Sequence, residues 1–104
     1  MEYMRHGDVL IVPTNEIKKT FKKQKDKVLL EGEATGHFHR LHKAEVWRNH
    51  APKQEDLYWL GEIEVSEEDR LTHEEHQAIT LKPGLYRFYG QREYDPVSEH
   101  MVRD

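Results

Sequence analysis

The chain has 104 residues, no cysteine and a formal net charge of −4. A chain this short buries one hydrophobic core, which predicts a single domain over residues 1–104, and a small core often gains from pairing, which predicts a homodimer. Without cysteine, disulfides and thiolate metal sites are excluded, and histidine, aspartate and glutamate remain as ligands for a transition metal. The acidic charge argues against binding along long nucleic acid, which requires neutralisation of many phosphates.

The first elements are predicted to be a strand and a short helix. Residues 8–13, DVLIVP, are apolar and β-branched and end at a proline, a pattern typical of a buried strand. Asn15 is a candidate cap for a short helix that continues to about Gln24. Ile17 and Phe21 would share one face of this helix.

A basic segment covers this predicted helix. Residues 18–27, KKTFKKQKDK, contain six lysines and one aspartate, so the segment carries a charge of +5 in an acidic chain. The pattern is typical of a solvated surface, and it also fits a pocket for a small anionic ligand. In the second case we expect the phosphate-binding lysines to be Lys18, Lys19, Lys22, Lys23 and Lys25.

From residue 27 onward the apolar pattern has the period of β-strands. The segments are KVLLEGE, GHFHRLH, AEVWRN, DLYWLGEIEV and AITL. A KPG turn then precedes GLYRFYGQREY, in which Leu85, Arg87 and Tyr89 face one side and Tyr86 and Phe88 the other. The predicted fold is mainly β, a small antiparallel β-barrel or sandwich with one short helix.

Two pairs of histidines stand out. In an extended GHFHR segment, His37 and His39 point to the same face, and Phe38 is expected on the opposite, core face. His42 follows on the Phe38 side, so it is a weaker candidate than the other two.

The second pair, in LTHEEHQ, consists of His73 and His76. Their spacing makes them neighbours on a turn or on one helical turn. Thr72 and Glu75 also match a capping box for one short helical turn.

These histidines admit three interpretations. The first is a metal site. It could be that of a cupin-like protein, although the downstream acid and histidine of the cupin pattern are poorly matched, or a non-cupin site formed by His37, His39 and one of His73 or His76. The second is structural, because histidines at strand edges often bond to backbone or carboxylate groups. A non-catalytic module that binds an anionic ligand through the basic segment also stays open.

The third interpretation is metal-free phosphodiester chemistry. The unperturbed pKa of histidine, about 6.5, lets one ring act as a base while another acts as an acid near neutral pH. Cleavage of RNA by its own 2′-hydroxyl also needs a cation near the phosphate, and Arg40, Arg92 and the lysines are candidates. Tyr94 could bond the phosphate or stack on a base.

The blocks HGDVLIVP, EGEATGHFHR and LTHEEHQAITLKPGLYRFYGQREY resemble the small all-β family of CRISPR-associated ring nucleases, which has bacterial and phage members. Proteins of that family cleave the cyclic oligoadenylate messengers of type III antiviral systems. The resemblance implies a homodimer that acts on cyclic RNA without a metal or other cofactor. The matching positions are His37, His39, Arg40, His73, His76, Arg92 and Tyr94.

The leading hypothesis from the sequence is therefore a cytoplasmic, metal-independent phosphodiesterase for cyclic oligoadenylate or small RNA. His37 or His39 would act on the 2′-hydroxyl, and His73 or His76 would protonate the leaving oxygen. We expect no membrane association, because no apolar run approaches the roughly 20 residues of a spanning helix.

Overall fold

A computed structural model describes residues 3–31, 37–51 and 57–91. These ranges contain ten short strands and no helix. The strands are β1 Met4–His6, β2 Val9–Thr14, β3 Lys22–Gln24, β4 Val28–Glu31, β5 Phe38–Arg40, β6 Glu45–Arg48, β7 Leu57–Val65, β8 Asp69–Leu71, β9 Ile79–Leu81 and β10 Gly84–Gln91.

Six of the strands form one antiparallel sheet in the order β1-β2-β10-β7-β6-β3. The strands β4 and β5 form a second sheet, and β8 and β9 a third. The prediction of a mainly β, antiparallel fold is confirmed. The large sheet ends in two different edge strands, β1 and β3, so it does not close into a barrel.

One hydrophobic cluster joins the three sheets. In β10 the side chains of Tyr86 and Phe88 are buried, and Leu85, Arg87 and Tyr89 are only partly buried, as the alternation in the sequence predicts. The same cluster takes in aliphatic side chains from each sheet that are almost fully buried: Val9, Ile11, Leu29, Leu41, Val46, Ile63, Leu71 and Leu81. The small sheets therefore share the core of the large sheet.

The predicted helix from Asn15 to Gln24 is wrong. The carboxylate of Glu62, which is 1% exposed, accepts hydrogen bonds from the backbone N–H groups of Lys18 and Lys19 at 3.2 and 3.1 Å. Lys19 has a φ of 55°, in the left-handed region that a right-handed helix excludes. The segment therefore crosses to β7 as irregular chain and ends in the edge strand β3.

Three strands were not predicted: β1, β3 and β8. Each has three residues and is rich in charged or polar side chains, so none shows the apolar alternation that identifies a half-buried strand. These strands form because a neighbouring strand supplies their hydrogen bonds.

No helix that could span a membrane occurs in the described ranges.

The buried carboxylate of Asp69 holds the turn that follows β5. It accepts hydrogen bonds from the backbone N–H groups of His42, Lys43, Ala44 and Arg70, at 2.8 to 3.2 Å. Burial by itself would raise the pKa of Asp69, but the four N–H groups together outweigh burial and hold this pKa below its ordinary value. Asp69 thus connects β8 to the chain between β5 and β6.

Candidate histidine metal centre

A single backbone bridge brings the two histidine motifs together. Arg40 and Thr72 form an isolated antiparallel pair, with both N–H···O distances equal to 2.9 Å. In antiparallel pairing the residue before Arg40 lies opposite the residue after Thr72, so His39 lies beside His73 on the same face. Their ring centroids are 4.4 Å apart.

A third histidine, His6, orients His39. The Nε2 atom of His6 lies 3.0 Å from the backbone oxygen of Gln77, and its Nδ1 lies 2.8 Å from Nδ1 of His39. A carbonyl oxygen only accepts, so Nε2 of His6 carries the hydrogen, and in a neutral ring its Nδ1 accepts. His39 then donates from Nδ1, and its Nε2 keeps a lone pair. These hydrogen bonds therefore assign the positions of the ring hydrogens on both His6 and His39.

The ring of His73 is held from the other side. Its Nδ1 accepts a hydrogen bond from the backbone N–H of Glu75 at 3.0 Å, so in a neutral ring Nε2 carries the hydrogen. This Nε2 is buried and has no hydrogen-bond partner among the described residues. The ring of His76 lies 4.6 Å from that of His73 and stacks at 5.6 Å on that of His39. Three imidazoles thus converge, two of them buried and that of His76 partly exposed.

The solvent side of the cluster is formed by a partly exposed histidine and two glutamates. The ring of His37 lies 5.7 Å from that of His73, and its Nδ1 lies 3.6 Å from Oε1 of Glu75. Glu74 is exposed and accepts a hydrogen bond from the backbone N–H of Phe38 at 2.8 Å. This hydrogen bond lowers the pKa of Glu74 below its ordinary value.

Among the residues that the structure describes, two sets of side chains have the spacing of a metal site. The ligand atoms of His39, His73 and His76 all lie within 4.8 Å of one another, and the same holds for His37, His73 and Glu74. We call the first set the inner triad and the second the outer triad. The inner triad is mostly buried, whereas the outer triad reaches the surface, and both contain His73.

Comparison with known protein families identifies one match. A family model described as a domain of unknown function, DUF8820, matches residues 5–91. The chain belongs to the DUF8820 family. No curated protein and no solved structure matches it significantly. The family description names no activity, so the resemblance to ring nucleases remains a prediction.

In this DUF8820 chain the four histidines predicted from the sequence lie in one cluster. The predicted orientation of their strand was wrong, because His39 is fully buried and Phe38 is only partly buried. The guanidinium of Arg40 is exposed and lies 5.4 Å from the ring of Phe38, on the outer side of β5. His42 is exposed and bonds Oγ1 of Thr72 instead of joining the cluster.

The structure does not bring the predicted lysines to the histidines. Lys19 and Lys23 form ion pairs with Glu64 and Glu45, at 3.2 and 3.0 Å, and both lie over the ring of Trp47. The strand β3 lies at the sheet edge opposite β1, which carries His6, so at the usual spacing of about 4.8 Å roughly 24 Å of sheet separates them. The predicted residues Arg92 and Tyr94 lie outside the described residues.

One residue of the site was not predicted from the sequence, and one predicted feature near it was wrong. His6 is a lone histidine in a polar segment, and only the pairing of β1 with β2 and its bond to Gln77 place it beside His39. The predicted capping box at Thr72 was wrong as well. Its hydroxyl bonds the Arg40 carbonyl at 3.3 Å, and no helix follows within the described residues.

Proposed function

We propose that this protein binds a divalent transition-metal ion through the inner triad of His39, His73 and His76. The observation that carries the proposal is the convergence of three imidazoles, together with the hydrogen bond from Nδ1 of His39 to His6, which leaves the lone pair of the neutral His39 ring on Nε2. Histidines that bind metals usually donate their other ring N–H to a carboxylate, a backbone carbonyl or water, which fixes the tautomer and raises the basicity of the ligand. In this chain the acceptor is the ring of His6, which is held in turn by the Gln77 carbonyl.

The spacing of the inner triad is compatible with a metal ion. A tetrahedral zinc ion with Zn–N bonds of about 2.0–2.1 Å separates its nitrogens by roughly 3.4 Å. Ligand atoms that lie within 4.8 Å of one another therefore need to approach by about 1.4 Å at most, which small rotations of the side chains supply. Imidazole ligands favour zinc, copper, nickel and iron over magnesium or calcium.

Three protein ligands leave a coordination position for water or a substrate. Structural zinc sites usually have four protein ligands, whereas catalytic ones have three and an open position. The burial of His39 restricts this position to small molecules, because a ring that is 0% exposed admits no bulky substrate. The arrangement supports a metal centre with one exchangeable ligand.

Metal binding also has a consequence for His73. Its Nδ1 accepts the Glu75 N–H, so coordination through the buried Nε2 requires the ring hydrogen to move to Nδ1. The hydrogen bond to the backbone of Glu75 is then lost. The buried Nε2, which has no partner among the described residues, gains a bond in its place.

The first prediction is metal binding by the purified protein after treatment with chelator. We expect one Co²⁺ or Zn²⁺ per chain, followed by the visible absorption of Co²⁺ and by competition with Zn²⁺. Metal at 100 times the Kd should stabilise the fold by about 2.7 kcal/mol. In ¹⁵N NMR spectra the Glu75 amide should shift among the most strongly. A Kd weaker than about 0.1 mM for both ions contradicts the proposal.

A second candidate is the metal-independent phosphodiesterase that the sequence suggests, acting as a homodimer on cyclic oligoadenylate or short RNA. One observation favours it: the hydrogen bonds give His39 a lone pair at Nε2 and give His73 a hydrogen at Nε2, the complementary states of a base and an acid. Against it, the two rings are 4.4 Å apart and buried, which leaves no room for a phosphate between them. The partly exposed rings of His37 and His76 would have to contact the substrate.

The second candidate predicts cleavage of cyclic oligoadenylate in the presence of EDTA. His76→Ala should then lower kcat by about 10²- to 10⁴-fold, the usual contribution of a positioned acid or base, with little change in substrate binding. Products separated by chromatography are the measurement. Intact substrate after prolonged incubation with stoichiometric enzyme excludes this activity and leaves the metal proposal untouched.

A further inference from the structure

The two triads differ in exposure but share a ligand. In the inner triad, His39 is 0% exposed and His73 is 9% exposed. In the outer triad, the side chain of His37 is 25% exposed and Glu74 is at the surface. His76 of the inner triad is partly exposed, but only the outer triad offers an exposed carboxylate, so an ion from solvent meets the outer triad more readily.

Because the two triads share His73, they can bind a metal ion one after the other but not both at once. A neutral imidazole has one lone pair on its ring nitrogens, so the neutral ring of His73 binds one metal ion at a time. An ion held by the outer triad reaches the inner triad when His39 and His76 replace His37 and Glu74. His73 can stay near the ion throughout this exchange.

A hydrated divalent cation also needs such an intermediate position. Removing all its water before it meets a ligand is costly, because burial of an unpaired charge is strongly unfavourable. The outer triad offers one carboxylate, whose charge attracts the ion, and two imidazoles, which can replace water stepwise. The N–H of Phe38 fixes the carboxylate of Glu74 in place.

We propose that the outer triad of His37, His73 and Glu74 is a capture site for the metal ion, which then passes to the inner triad through the shared ligand His73. This inference rests on the proposed function, because it requires that the inner triad binds metal. It assigns Glu74 a role in the rate of metal exchange and none in the final coordination.

The test compares metal-loading kinetics of the parent protein with those of Glu74→Gln. Glutamine keeps an oxygen that can accept the Phe38 N–H, so the local structure is retained. We expect the association and dissociation rate constants of Co²⁺ to fall together by about tenfold, the scale of removing one unit charge beside a divalent ion in water. The Kd stays unchanged, because a step that lies on the route in both directions cancels at equilibrium.

The matched control is Glu75→Gln, which removes the same charge from the next residue without removing a member of either triad, and whose amide oxygen can still face Nδ1 of His37 as Oε1 of Glu75 does at 3.6 Å. If general electrostatic attraction accounts for fast loading, both variants slow equally, and the capture site is excluded. Unchanged rates in Glu74→Gln, or a weaker Kd with an unchanged association rate, also overturn the inference. Absence of metal binding by the parent protein instead overturns the proposed function, so the two failures are distinguishable.

Discussion

Replacement of His39 by alanine is expected to abolish metal binding. His39 is the inner-triad ligand whose tautomer is fixed by the hydrogen bond to His6, and His73 and His76 alone form an incomplete site. We expect the affinity for Zn²⁺ to fall by more than the roughly 10- to 100-fold that loss of a partner outside the coordination sphere typically costs. His6→Ala removes such a partner, so its affinity should fall within that 10- to 100-fold range.

The informative result is that the affinity for Zn²⁺ falls further in His39→Ala than in His6→Ala. His50→Ala is the matched control, because His50 is an exposed histidine outside both triads and should bind metal like the parent. Since His39 is buried, its replacement can also weaken the fold, and His76→Gln provides a second test at a partly exposed ligand. Each variant is compared with the parent by thermal unfolding in chelator. Parent-like affinity in folded His39→Ala and His76→Gln contradicts the inner triad.

The second large effect is expected at Asp69, whose carboxylate holds four backbone N–H groups. Asp69→Ala leaves one buried and three partly buried N–H groups without their acceptor. A buried unsatisfied donor costs about 1–3 kcal/mol and a partly buried one less, so we expect a loss of about 2–3 kcal/mol in the free energy of unfolding. Urea denaturation measures it. The turn after β5 would loosen, and with it the Arg40–Thr72 bridge that places His39 beside His73.

The same carboxylate predicts how stability depends on pH. The pKa of Asp69 is lower in the folded chain than its ordinary value of 3.8, so its contribution is fully present above that value and is lost as pH falls through the folded pKa. Asp69→Asn should therefore show a smaller loss of stability on acidification than the parent. Glu68→Gln is the control, since Glu68 is an exposed neighbour, and it should follow the parent. Parallel acid profiles for the parent and Asp69→Asn contradict this assignment.

Local patterns predicted those elements whose stability depends on apolar alternation. The strands β2, β7 and β10 follow from runs such as DVLIVP and GLYRFYG, in which alternate side chains pack into the core. The basic segment was predicted as a helix because spacing and capping favoured one. The segment is irregular instead, because the backbone N–H groups of Lys18 and Lys19 donate hydrogen bonds to Glu62, which lies 44 and 43 residues away in the sequence.

The candidate site also combines features that the sequence determines with features that depend on the tertiary structure. The sequence by itself determined that ligands could come only from nitrogen and oxygen side chains, and it placed two histidines on one strand and two on one turn. It also predicted a binding role for the lysines of the basic segment, of which Lys22 and Lys23 lie in the strand at the opposite sheet edge. Only the tertiary structure decided which residues meet. The Arg40–Thr72 bridge joins residues 32 positions apart, and the bond between His6 and His39 spans 33. Such contacts depend on strand register across the whole fold, which no local pattern in the sequence encodes.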